Sequence, residues 1–277
     1  MINSLKSDFF LPNSVVLEMT YSCNNFCLFC SCPWEHEQSN YKKEIELTTN
    51  EWMSCIDTLL LNGVTNISYT GGEPIMKKGI RQIISYVNSK KTIQINNKHE
   101  MIEVCPTQYL ISNGQLINDS TLDFLKSENV NLSLSLPGLR TYYDHTCNGT
   151  PEKILSLFQS AKKKEIHTTV NVTVTKKNLF ELSDIIANAL IAGAETLLLN
   201  RFLPGGRGMS YKDELMLDWD ETIEMLKIAE DVLKKANRFG NVGTELPYCL
   251  IEGLNFSNLK VGTRCSAGIG FFVVGPE

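Results

Sequence analysis

The chain has no apolar run approaching the roughly 20 residues needed to cross a bilayer, and its opening Met1-Ile-Asn-Ser-Leu-Lys6 is no signal peptide. It also lacks an excess of positive charge: 26 Lys and Arg against 31 Asp and Glu give a formal net charge of −5. That balance leaves no basic face for a nucleic acid, and the cluster Lys162-Lys163-Lys164 reads as the solvated side of a helix. Without a secretory context, nine cysteines, an odd number, read as reduced thiols and metal ligands in the cytoplasm rather than disulfides. What remains is ordinary for a soluble protein: 43% hydrophobic and 21% charged residues, in a chain of 277 residues, long enough for one large core.

Against that background stands Cys23-Asn-Asn-Phe-Cys27-Leu-Phe-Cys30, directly after the apolar stretch Val15-Val16-Leu17. Three thiols within eight residues converge only if the loop wraps around something, usually a metal centre. Structural zinc sites close with a fourth protein ligand and use C-x2-4-C pairs followed by a distant second pair. An iron–sulfur cube that only carries electrons takes four thiolates. Three ligands on one loop leave one iron open to a small molecule, which points to catalysis. A zinc knuckle, or thiols buried as small hydrophobes, is the non-catalytic alternative.

Forty residues on, Val64-Thr-Asn-Ile67-Ser-Tyr69 leads into Thr70-Gly71-Gly72-Glu73-Pro74. Two glycines permit close backbone approach to a ligand, and the Glu73 carboxylate suits an ammonium. The ordered pair of motifs resembles the signature of the radical S-adenosylmethionine (SAM) superfamily. In that family the three cysteines hold a 4Fe-4S cluster, the aromatic before the third cysteine (here Phe29) lies beside the adenine, and the Gly-Gly-Glu-Pro segment binds the SAM amino group. Cys32 is not a ligand in that pattern and reads as a wall residue.

Strand-like and helix-like segments alternate, which predicts a parallel α/β architecture. Strands are expected near 15–20, 64–69, 107–112, 131–136, 167–174 and 195–200. Thr48 and Glu51 form a capping box for one helix, Thr150-Pro151 starts another, Asn178 caps a third that stops at Gly193, and Asp218 with Glu221 opens a fourth reaching about Lys235. Six such units match the partial (β/α)6 TIM-like barrel that the resemblance implies. Its expected span is 15–240, after a lead-in at 1–14. An insertion at 89–106 is expected as a hairpin, with Thr92–Asn97 as a strand and Lys98-His99-Glu100 as a turn placing His99 on the surface.

In barrels of this kind functional groups sit at the C-terminal strand ends. Ser112-Asn113-Gly114 follows the third strand and Ser135-Leu-Pro137-Gly138 the fourth; Asn171 lies within the fifth, and Asn200-Arg201 ends the sixth. The resemblance therefore implies SAM contacts from Gly71, Gly72, Glu73, Asn113, Ser135, Asn171 and Arg201. Two departures stand out. Pro137 replaces an aspartate common in the family, and the stretch where an arginine often follows reads Asp144-His145-Thr146-Cys147, leaving Arg140 as a substitute and Cys147 as a candidate hydrogen donor or a packed thiol.

The stretches Asn200-Arg-Phe-Leu-Pro-Gly-Gly-Arg207-Gly208 and Gly262-Thr-Arg-Cys265-Ser-Ala-Gly268 resemble radical SAM enzymes with a SPASM or twitch extension. Region 241–277 is thus expected to begin that auxiliary iron–sulfur region, with Cys265 its first ligand; either the natural chain continues beyond Glu277, the favoured alternative, or the extension is vestigial. The family implication is reductive cleavage of SAM to a 5′-deoxyadenosyl radical that abstracts hydrogen from a ribosomal peptide, forming thioether or carbon–carbon crosslinks or epimerised residues. A cofactor precursor or protein side chain is the other substrate class. The implied partners are a precursor peptide, held either by a separate leader-binding protein (the cluster motif begins at residue 23, leaving no room for such a domain before it) or by direct contacts with the barrel mouth, and a flavodoxin- or ferredoxin-type electron donor, in a low-oxygen cell.

Overall fold

A computed structural model describes residues 11–36, 40, 43–95 and 100–277. The lead-in 1–10, Asn96 and Asn97, and the expected turn residues Lys98 and His99 lie outside the described residues. The described residues form eleven strands: β1 (Ser14–Glu18), β2 (Asn66–Thr70), β3 (Thr92–Ile95), β4 (Met101–Val104), β5 (Thr107–Ser112), β6 (Val130–Ser135), β7 (Thr168–Val174), β8 (Thr196–Arg201), β9 (Phe239–Val242), β10 (Leu259–Lys260) and β11 (Phe271–Val274). The helices are α1 (Thr49–Leu61), α2 (Ile80–Asn88), α3 (Asp119–Ser127), α4 (Tyr142–His145), α5 (Pro151–Lys163), α6 (Leu182–Ala192), α7 (Lys212–Leu215), α8 (Trp219–Ala236) and α9 (Tyr248–Ile251).

Nine strands form one parallel sheet in the order β10-β9-β8-β7-β6-β5-β2-β1-β11, while β3 and β4 pair as a separate antiparallel hairpin. The six expected strands are its centre, and the hairpin lies where the insertion was expected. The unforeseen strands are at the edges: β9 and β10 extend one side, and β11 pairs with β1 on the other.

Ten residues join β10 to β11 at these opposite edges. Flat, eight strand spacings would separate the edges by about 38 Å, reachable by ten residues only when fully extended. Yet part of the link is a turn around Ser266–Gly270, so the sheet must curl into an open barrel.

Each central strand has two faces with period 2. Outward residues such as Leu17, Ile67, Leu132, Val172 and Leu199 are fully buried under the helices. Inward residues are half-buried and mostly polar, as in the alternating patterns of β1, β2 and β7. The lumen is therefore a polar trough rather than the packed apolar interior of a closed barrel.

The expected helix starts hold, with one correction. Thr48 and Glu51 bond reciprocally, as do Asp218 and Glu221, and Thr150 caps α5. Asn178 makes no side-chain cap: its amide donates to Pro137 O at 2.7 Å and Thr173 O at 2.9 Å, and α6 begins after a 3-10 turn at Leu179–Glu181. The buried amide instead ties the end of β7 to the loop after β6.

Candidate active site

The C-terminal ends of the central strands surround a cavity of about 510 Å³, in the size range of cofactor sites. Cys23, Cys27, Phe29 and Cys30 line it from the loop after β1; Gly71, Gly72 and Glu73 line it from the turn after β2. Asn113, Ser135 and Arg201 reach it from the ends of β5, β6 and β8, and Asn171 from the middle of β7. The residues singled out for the cluster and SAM, spread from position 23 to position 201, thus face one space. Cys32 lines the same wall, its Sγ 3.5 Å from Gly71 O.

Other candidates lie elsewhere. Cys147 is exposed outside the cavity, its N–H donating to Asn25 Oδ1 at 3.0 Å. Cys265 is exposed on the link between β10 and β11. Arg140 does not face the cavity; it pairs with Glu181 at 3.2 Å and Asp184 at 3.4 Å and lies over the Phe180 ring. A pocket-facing arginine is supplied by Arg201, whose buried Nε has no hydrogen-bond partner among the described residues.

The two glycines act on the chain itself. A Cβ on Gly72 would stand 2.1 Å from Ser22 O, and one on Gly71, at φ +121°, 2.8 Å from Thr20 O. Gly72 N and Glu73 N donate to Thr20 O and Ser22 O, both at 2.8 Å. The close approach that spacing alone assigns to a ligand is here the docking of the β2 turn onto the segment entering the cysteine loop. That segment is also held by Glu46, which accepts from Thr20 Oγ1 and Tyr21 N and pairs with the buried Lys77 at 3.0 Å.

Glu73 is almost wholly buried. Its oxygens accept from Ser112 Oγ at 2.8 Å, Asn113 N at 2.9 Å and Ile75 N at 3.3 Å. Burial nevertheless raises its pKa above the ordinary carboxyl value, leaving a carboxylate that gains from a cationic partner.

The cysteine loop is laced to distant segments by contacts that the sequence did not show. Asn25 Oδ1 accepts from Cys147 N and Asn148 N, Asn113 Nδ2 donates to Asn24 Oδ1 at 2.8 Å, and Leu28 N donates to His145 O at 2.9 Å. His145 is buried between Thr141 O and Thr175 Oγ1, at 2.9 and 2.8 Å, with its ring 5.8 Å from that of Phe29. Burial lowers its pKa, so it serves as a neutral prop behind Phe29.

From the far end of the barrel, Gly206 (φ +46°) packs so closely that a Cβ would lie 2.2 Å from Cys32 O, and Gly208 N donates to Cys30 O at 3.0 Å. The available signal was Pro204-Gly-Gly-Arg207-Gly208 itself: consecutive glycines after a strand mark close backbone approach.

Among the described residues, no three His, Cys, Asp or Glu side chains close on a single metal ion. The donor set offers three thiols on the wall of a much larger space. Burial pushes the Cys27 thiol far up, whereas hydrogen bonding with Cys32 pulls Cys30 down to about 7. A thiolate at Cys27 therefore needs a cationic partner such as iron, and the set fits a thiolate-bound cluster.

Residues 17–187 match the Radical SAM superfamily model. The chain belongs to the radical SAM superfamily. This radical SAM protein is 25% identical over 221 residues to the sporulation killing factor maturation protein SkfB of Bacillus subtilis (strain 168), covering 79% of this chain and 49% of SkfB. It is 24% identical over 238 residues to the PqqA peptide cyclase of Bradyrhizobium diazoefficiens, covering 83% of this chain and 58% of the cyclase. Streptococcus suis SuiB bound to S-adenosylmethionine matches with a TM-score of 0.67 at 17% identity, over 90% of this chain and 54% of SuiB. SuiB bound to its precursor peptide SuiA gives 0.66 at 16% identity, with the same coverage. At that identity the likeness shows the fold alone. The chain spans about half the length of the curated relatives it matches.

Proposed function

We propose that this radical SAM protein modifies a ribosomal peptide, using a 4Fe-4S cluster held by Cys23, Cys27 and Cys30 and SAM bound in the same cavity. The observation that carries the reading is the convergence of three thiols, a buried carboxylate and the amides and hydroxyls of four strands on one space of about 510 Å³. Held by Cys23, Cys27 and Cys30, such a cluster would supply the electron for reductive cleavage of SAM and so the radical chemistry on the peptide, and the residues around it would position and shelter that chemistry.

In this reading Glu73 receives the methionine ammonium, while Gly71 and Gly72 hold the β2 turn against the cysteine loop. Phe29, backed by His145, flanks the adenine. Asn113, Ser135 and Asn171 hydrogen-bond the ribose and carboxylate, and the free Nε of Arg201 offers a further donor. The polar, half-open lumen suits a peptide, whose backbone demands hydrogen-bond partners.

The peptide class is supported by relatives named as a maturation protein and a peptide cyclase, and by the SuiB complex with a precursor peptide. The product is a thioether or carbon–carbon crosslink or an epimerised residue. Delivery through a leader-binding protein and reduction by a flavodoxin- or ferredoxin-type donor, in the cytoplasm of a low-oxygen cell, complete the proposal. Region 241–277 would begin a SPASM or twitch region in which the exposed Cys265 ligates an auxiliary cluster. The test is mass spectrometry of a short peptide encoded beside this chain's gene, incubated with the reconstituted protein, SAM and reductant. Loss of two hydrogen atoms, or deuterium uptake from heavy water at unchanged connectivity, is expected. SAM cleavage with the peptide untouched by either measure would contradict the substrate class.

A further inference from the structure

Arg207 is a buried cation whose guanidinium partners all come from the segment that carries the three thiols. It is 8% exposed and lies in the 3-10 turn Gly206–Tyr211 after β8. One Nη donates to Cys27 O at 3.1 Å, the other pairs with Glu35, and the guanidinium carbon sits 3.3 Å from the Phe26 ring centroid. Glu35, in the short turn just past the cysteine loop, also takes Lys43 at 3.3 Å. Both Arg207 and Glu35 line the cavity. The flanking Gly206 and Gly208 pack on Cys32 O and Cys30 O, so the arginine is held against the ligand loop by backbone on both sides.

Resting on the reading that this loop holds a 4Fe-4S cluster, we propose that Arg207 and Glu35 form an opposed charge pair that sets the cluster's reduction potential, with Arg207 a positioning residue. A cluster on three thiolates is anionic. Accepting one electron from a low-potential donor makes it more so, with no bond formed or broken. In a half-dry cavity a fixed cation favours the reduced form and a fixed anion opposes it. A purely structural clamp behaves differently: loss of either partner loosens the same loop, and both losses act in the same direction.

The test is a potentiometric titration of the anaerobically reconstituted full chain, read by the electron paramagnetic resonance signal of the reduced cluster. Arg207→Gln is expected to move the midpoint to more negative values. Glu35→Gln, which keeps hydrogen-bonding capacity, is expected to move it to more positive values, and Arg207→Lys to leave it near wild type at equal iron content. Shifts of the same sign in Arg207→Gln and Glu35→Gln, or no shift in Glu35→Gln, would overturn the pairing. Should Arg207→Gln fail to load iron, Glu35→Gln and Arg207→Lys decide alone. A wild-type chain that takes up no cluster overturns the cofactor reading, and the pairing with it.

Discussion

At Glu73, burial and function pull in opposite directions. Its pKa is raised by burial, so between the ordinary carboxyl value and the raised one the folded protein holds the extra proton. Stability of the ligand-free protein therefore falls as pH climbs through that window. SAM affinity should rise over the same window, because only the carboxylate attracts the ammonium. Glu73→Gln should flatten this dependence and weaken SAM by about 1.5–3 kcal/mol, the worth of one charge-assisted hydrogen bond. Calorimetric titration of SAM between pH ~5 and ~8 measures both effects, and an unchanged affinity would remove Glu73 from the site. Gly72 makes a separate case. A Cβ there meets Ser22 O at 2.1 Å, and backbone cannot yield cheaply, so Gly72→Ala should destabilise even the iron-free, SAM-free chain by roughly 2–4 kcal/mol. An unchanged denaturation midpoint would mean that the glycine serves the ligand alone.

At the scale of elements, the turn after β6 depends on one buried carboxylate from the start of α6. Burial alone would raise the Glu181 pKa, but hydrogen bonds from Thr141 Oγ1 and the backbone N–H groups of Leu139, Arg140 and Thr141 pull it down to about 2. The stability this contributes is present above the ordinary value of 4.5 and is lost as pH falls toward about 2. Glu181→Gln should cost roughly 2–4 kcal/mol at neutral pH and progressively less on acidification. Urea midpoints across that range measure it, and a cost that did not shrink on acidification would count against the ionised carboxylate as the anchor.

This turn also marks where sequence stops being legible. The central strands could be read because one face must be apolar beneath helices, and the capping boxes because their residues are local. Asn178 and Arg140 looked like a helix cap and a cavity arginine, yet tertiary partners 41 residues away claim both. Helix α2 carried no side-chain signal, since its start is Gly79 at φ +83°. The edge strands β10 and β11 are short, and their pairing depends on closure of the whole sheet.

For the molecule as a whole, the curl of the sheet brings the loop after β1 and the turn after β8 onto one another, so thiols near the start of the chain and glycines near residue 206 build one wall. That closure turns a linear series of strand-end residues into a single cavity, and it underlies the claim that this cavity holds the cluster and SAM together. The most direct measurement is 5′-deoxyadenosine formation by the anaerobically reconstituted, dithionite-reduced protein supplied with SAM, quantified by liquid chromatography and mass spectrometry. The wild-type chain is expected to yield equal amounts of 5′-deoxyadenosine and methionine, and the variant with Cys23, Cys27 and Cys30 all replaced by alanine neither product. A wild-type protein with a full cluster and bound SAM that yields no 5′-deoxyadenosine on reduction would contradict that claim.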